Sequence, residues 1–110
     1  MKMEGRLNYM IEICNLRNKK PTEPYDIRVD RTSVLGNPFH MKDESERDKV
    51  CDEYEEYFHR RLKDCATMQR LIDYYKRKGK LRLFCWCSPK RCHAETIKDY
   101  ILKCCNDKLL

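Results

Sequence analysis

Cys85, Cys87, Cys92 and His93 bring three thiols and an imidazole into one short segment, Phe84-Cys85-Trp86-Cys87-Ser88-Pro89-Lys90-Arg91-Cys92-His93. Thiolates are nucleophiles and soft metal ligands, and imidazole exchanges protons near neutral pH. Three readings follow. Cys85, Cys87 or Cys92 could attack an electrophile with His93 as proton shuttle. All four side chains could hold zinc, although their C-x-C-x4-C-H spacing departs from the paired C-x2-C knuckle. Or Cys85 and Cys87 fill a buried strand as small apolar residues, and Cys92 and His93 close the first turn of a helix. The Cys85-to-Arg91 interval matches the C-x5-R spacing of cysteine phosphatases, but their phosphate loop contains glycine where this one carries Trp86 and Pro89.

The elements that must position these groups are legible in the apolar pattern. Tyr9 to Cys14 and Tyr25 to Asp30 alternate as two strands, expected to pair antiparallel, with a loop carrying Pro21 and Pro24 between them. In the second strand, Tyr25, Ile27 and Val29 are expected to face inward, and Asp26, Arg28 and Asp30 to form a solvated face. Residues 31–40 form a loop around Gly36-Asn37-Pro38, where Gly and Asn would supply left-handed backbone and Pro would fix the exit. Ser45, with Asp48 as a capping box, opens a long helix whose buried face runs from Val50 through Cys51, Tyr54, Tyr57, Phe58 and Leu62 to Cys65. Thr67 restarts a helix that ends at Gly79 as its C′ residue. Leu81 to Cys87 is the third strand, and Ser88 as N-cap with Pro89 at N1 begins the last helix. The predicted order is β-β-α-α-β-α, an α/β fold with a small mixed three-stranded sheet, in one domain with its core at about residues 8–104.

A helix starting directly after the third strand would aim its unpaired N–H groups at the strand's C-terminal end, where open α/β sheets bind ligands. An anion would settle there. Ser88 and Lys90 border that point, and Arg31, at the mouth of the glycine loop, can grip a phosphate or carboxylate in bidentate fashion. Trp86, the single tryptophan, reads as packing beneath a helix, with base stacking as the alternative. Lys76-Arg77-Lys78-Gly79-Lys80 suits nucleic acid, but equally a helix C-terminus.

The 110 residues include 24 basic and 18 acidic ones, a net charge of +6 that mildly favours anionic partners. No apolar run approaches the roughly 20 residues that span a bilayer. Met1 to Gly5 show no hydrophobic leader, so a cytoplasmic location and eight reduced cysteines are expected.

Three stretches carry a family resemblance: Asn15-Leu16-Arg17; Arg31-x-Ser33-x-x-Gly36-Asn37-Pro38-Phe39; and Leu83-Phe84-Cys85-Trp86-Cys87-x-Pro89-x-x-Cys92-His93. Together they resemble domain of unknown function 4326, a family of small bacteriophage and bacterial proteins, over about residues 9 to 102. The resemblance implies that the two longer motifs belong to one site; Arg91 is not part of the family pattern, which weakens the phosphatase match. The expected site therefore joins Arg17, Arg31, Ser33, Gly36 and Asn37 to Ser88, Lys90 and His93 around a small anionic, nucleotide-like ligand. Cys85, Cys87, Cys92 and His93 are its candidate catalytic or zinc-binding groups. The function classes left open are a ligand-binding module, a cysteine- or metal-dependent enzyme, and a zinc-stabilised structural domain.

Overall fold

The computed structural model describes residues 10–109, with side chains through Cys105. Tyr9 and the expected start of the core at residue 8 lie outside that range. The elements are β1 (Met10–Asn15), β2 (Asp26–Arg28), a 3-10 turn (Glu44–Glu46), α1 (Arg47–Tyr57), a π turn (Phe58–Leu62), α2 (Ala66–Lys78), β3 (Lys80–Cys85) and α3 (Ala94–Leu109). This is the expected α/β order.

The sheet differs from expectation in one respect: it is parallel throughout, with β3 between β1 and β2. The first two strands are not neighbours. Residues 16–25 carry the chain past the place β3 will take, and the helices between β2 and β3 supply the long return that parallel strands require.

Strand alternation sorts the two sheet faces. Ile13, Leu83 and Ile27 stand in register across the sheet, flanked by Ile11, Leu81, Cys85 and Val29. This face joins Tyr54, Phe58, Leu62, Met68, Leu71, Ile72, Tyr75, Ile97 and Ile101 in one hydrophobic cluster. Cys51 is buried, and Cys65 and Cys104 pack against the cluster as small apolar residues. The single long helix expected from Ser45 to Cys65 is instead α1 followed by the π turn, which keeps both Phe58 and Leu62 buried. Cys65 then serves as N-cap of α2. The cap at the front end is Asp43, whose carboxylate accepts from Ser45, in place of a Ser45–Asp48 box. Gly79 ends α2 in the left-handed conformation (φ 75°), its N–H on the Tyr75 carbonyl, as expected.

The opposite face is not the solvated surface expected of Asp26, Arg28 and Asp30. Asp26 is paired with Arg82 through two bonds of 2.7 and 3.0 Å, and it also accepts the N–H groups of Thr22 and Glu23. Asp30 is buried and bonded to Arg28 and Thr32. Arg28 alone of the three is exposed. These carboxylates lie beside the central strand, where an unpartnered charge is costly, so cations and N–H donors gather on them.

The last helix also begins later than expected. Residues 86–93 form an irregular segment containing a cis Ser88–Pro89 peptide. Lys90 N–H closes a turn on the Cys87 carbonyl, and the helical ladder starts with Glu95 and Thr96 bonding the carbonyls of Cys92 and His93. Asn15, at the end of β1, pins the segment by donating from Nδ2 to the carbonyls of Trp86 and Ser88.

Candidate functional site

The two sequence motifs meet. A cavity of about 510 Å³ opens beyond the C-terminal ends of β2 and β3. One wall is the segment from Asp30 to Met41, the other is Trp86, Cys87, Cys92 and His93, and α1 closes the space with Arg47, Val50 and Cys51. Its position follows the rule for open α/β sheets, and its size suits a small-molecule ligand.

The 30–41 loop is held by its own backbone. Ser33 donates its hydroxyl to the Asp30 carbonyl, and Gly36 N–H bonds the Ser33 carbonyl. Gly36 is needed for close approach, not for the positive φ expected of it. Gly79 is the only described glycine with positive φ, whereas a Cβ on Gly36 would lie 2.5 Å from the Asp30 carbonyl oxygen and 2.6 Å from the Arg31 Cα. Asn37 likewise spends its side chain inside the protein: Oδ1 accepts from Phe39 N–H, and Nδ2 donates to the Val50 carbonyl at 3.5 Å. Arg31 braces the turn by donating to the carbonyls of Asn37 and Phe39, both at 3.1 Å. It has no carboxylate partner among the described residues. Its charge is therefore left for the cavity.

At the other wall, His93 is buried, with its ring edge-on to Tyr54 at 4.9 Å. Its Nε2 faces the Val29 carbonyl. A carbonyl only accepts, so Nε2 carries the proton and Nδ1 is left as an acceptor. Burial holds the imidazole neutral by lowering its pKa.

Three sulfurs cluster beside it. Cys85 and Cys92 Sγ are 3.2 Å apart, and Cys87 lines the cavity alongside Cys92. Cys92 keeps its proton: hydrogen bonds to Cys85 and Cys87, reinforced by burial, raise its pKa strongly. The Cys92 hydrogen bond and then Arg47 pull Cys87 down to about 5. The Cys92 thiol, helped by the N–H groups of Cys87 and Ser88, lowers the pKa of Cys85 as well. Cys92 has one proton to donate, so its two neighbours do not both hold a full charge. Cys87 has Arg47 beside it and faces the cavity, while Cys85 is wholly enclosed, so the anion resides on Cys87. Among the described residues, no group of three or more His, Cys, Asp or Glu side chains is placed to hold a metal ion.

Of the expected ligand contacts, Arg31, Asn37 and His93 line the cavity; Arg17, Ser33, Gly36, Ser88 and Lys90 do not. Arg17 and Lys90 are exposed, and Lys90 lies 3.5 Å from Glu44. Ser88 Oγ points to the Ile13 carbonyl. Of the candidate catalytic groups, Cys87, Cys92 and His93 line the cavity, and Cys85 lies behind them. Arg91 is paired with Asp48 and Asp52.

Two features escape a reading of the sequence. Arg47 enters the cavity from α1, its guanidinium held by Glu44 and by the Arg91 carbonyl. Its signal was present: it lies three, four and seven residues before Val50, Cys51 and Tyr54, a cation on the buried stripe of an amphipathic helix. Trp86 does not pack beneath a helix. It is 51% exposed, and its indole N–H is anchored on Asp30 at 2.9 Å. Since α3 starts only at Ala94, no helix lies over it directly after the strand.

The profile of the family described as Domain of unknown function (DUF4326) matches residues 14–103, and the chain belongs to that family. No curated protein and no solved structure matches the chain. No helix among the described residues is long and apolar enough to cross a membrane.

Proposed function

We propose that this DUF4326 protein binds a small anionic ligand of the nucleotide class in the cavity between the 30–41 loop and the 86–93 segment. The observation that carries the reading is the convergence of the glycine loop and the cysteine segment on one cavity that presents Arg31, Arg47 and a half-exposed, anchored Trp86. Guanidinium groups suit phosphate, and an immobilised indole face suits a base, so cations and a flat aromatic surface together favour a nucleotide over inorganic phosphate alone. Glu44 offsets part of the Arg47 charge, which leaves Arg31 as the principal anion contact. The absence of disulfides among the described cysteines fits a reducing compartment, and we assign the action to the bacterial cytoplasm, whether the gene is the cell's own or a phage's.

A second reading, turnover of the bound ligand by a cysteine nucleophile, draws on the Cys87 thiol beside Arg47 in the same cavity. Neutral His93, with Nδ1 as acceptor, is the proton carrier in that reading.

Because Trp86 is the only tryptophan, its emission reports the cavity directly. Titration with nucleoside mono-, di- and triphosphates is expected to quench that emission saturably, and Arg31→Met to weaken binding about tenfold, the loss of one charge-assisted hydrogen-bonding group. If no nucleotide changes the emission or the melting temperature at millimolar concentration, the binding reading fails.

A further inference from the structure

Beyond ligand binding, we infer that Cys87, Cys92 and Cys85 form a thiol–disulfide relay that accepts a low-molecular-weight disulfide through the cavity and stores the oxidation as a buried Cys85–Cys92 bond. Three geometric facts carry this. Cys87 and Cys92 line the cavity, so a small disulfide entering it reaches sulfur. Cys92 connects the other two by place: it shares the cavity lining with Cys87, and its Sγ lies 3.2 Å from that of Cys85. Cys85 is enclosed at the end of β3, out of reach of any reagent in solvent.

The order of steps follows from access. The Cys87 thiolate attacks one sulfur of the disulfide RS–SR; a Cys87–SR bond forms, the RS–SR bond breaks and RS⁻ leaves. RS⁻ takes the Cys92 proton, and the Cys92 thiolate attacks Cys87 Sγ, forming Cys87–Cys92 and expelling the second RS⁻. The Cys85 sulfur attacks Cys92 Sγ, breaking the Cys87–Cys92 bond; its proton passes to the departing Cys87 sulfur, from which the second RS⁻ takes it at the cavity. The product is Cys85–Cys92, with Cys87 returned as thiolate. In sum, one RS–SR is reduced to two RSH, and two protein thiols lose two electrons and two protons. Arg47 beside Cys87 favours the charged first and last states of that residue.

The test is to expose the reduced full-length protein to oxidised glutathione under native conditions, quench with acid, and map the cysteines by peptide mass spectrometry. The expected product is a Cys85–Cys92 linkage formed ahead of stable adducts elsewhere. Cys92→Ser should stop the sequence at glutathionylated Cys87, and Cys87→Ser should slow the internal linkage at least roughly tenfold, since Cys92, the one sulfur then left at the cavity, is only 4% exposed. Wild-type protein that accumulates adducts without an internal linkage overturns the relay. So does a Cys87→Ser protein that forms Cys85–Cys92 at the wild-type rate. Native far-ultraviolet circular dichroism of each variant separates a chemical effect from a failure to fold. The readout is covalent, so it stands or falls independently of nucleotide binding.

Discussion

Asp30, just beyond β2, accepts the indole N–H of Trp86, just beyond β3, at 2.9 Å. The bond ties together the two loops that build the cavity and fixes an exposed aromatic ring that no helix covers. Asp30 is kept ionised for this role. Burial acts to raise its pKa, but Arg28, Thr32 and Trp86 overcome burial and hold it far below the usual carboxylate range.

Removing that acceptor should free the ring. Asp30→Ala is expected to shorten the rotational correlation time of Trp86 in time-resolved anisotropy and to weaken nucleotide binding by roughly tenfold, about 1.4 kcal/mol. Asp30→Asn retains an acceptor oxygen and should restore most of the anchoring. Equal ring mobility in wild type and Asp30→Ala would show that the bond does not hold the indole.

Gly36→Ala tests the close approach in the loop. The new Cβ meets backbone at 2.5 and 2.6 Å, and backbone cannot rotate aside as a side chain does. A loss of about 2 kcal/mol is expected in urea denaturation, in the range of overpacked sites. A loss below about 0.5 kcal/mol, the size of an ordinary surface change, would contradict it.

The Arg82–Asp26 pair gives the fold an acid limit. Burial acts to raise the Asp26 pKa, but the Arg82 guanidinium and the N–H groups of Thr22 and Glu23 outweigh it and hold the carboxyl at about 2, against an ordinary 3.8. A depressed folded pKa means stability that is fully present above the ordinary value and lost as pH falls through about 2. That difference corresponds to about 2 kcal/mol. Asp26→Asn should therefore flatten the stability profile between about pH 4 and 2. In denaturation at neutral pH, Arg82→Leu should cost about 3 kcal/mol by stranding the carboxylate, and Asp26→Leu/Arg82→Leu less than that. A double variant that loses as much stability as Arg82→Leu alone, or more, would refute the account.

Cys87 should behave as a thiolate well below neutrality. Its alkylation rate is expected to inflect near pH 5, where it is held first by the Cys92 hydrogen bond and then by Arg47. Cys92→Ala should move the inflection up the most, and Arg47→Met by a smaller step in the same direction. An inflection near the ordinary thiol value of about 8.5 in the wild type would show that neither group acts on Cys87.

The sequence by itself determined the order of elements, the apolar faces of the helices, the Gly79 cap and the two segments that line the cavity. These rest on periodicity and short-range stereochemistry, which each segment carries locally. It also marked the right stretches for partly wrong reasons. Asn15-Leu16-Arg17 matters through Asn15, which pins the 86–93 segment, while Arg17 is exposed. Gly36 matters through a backbone approach that no local pattern announces. Only the tertiary structure decided that β3 lies between β1 and β2, that Asp26 and Asp30 are buried in ion pairs, that Arg47 enters the cavity from a helix, and that Trp86 is anchored in the open. Each of these depends on a partner distant in the chain, such as Arg82 for Asp26, Trp86 for Asp30 or Arg91 for Arg47. A residue's periodicity fixes which way it faces, but its chemistry is set by what the fold brings against it.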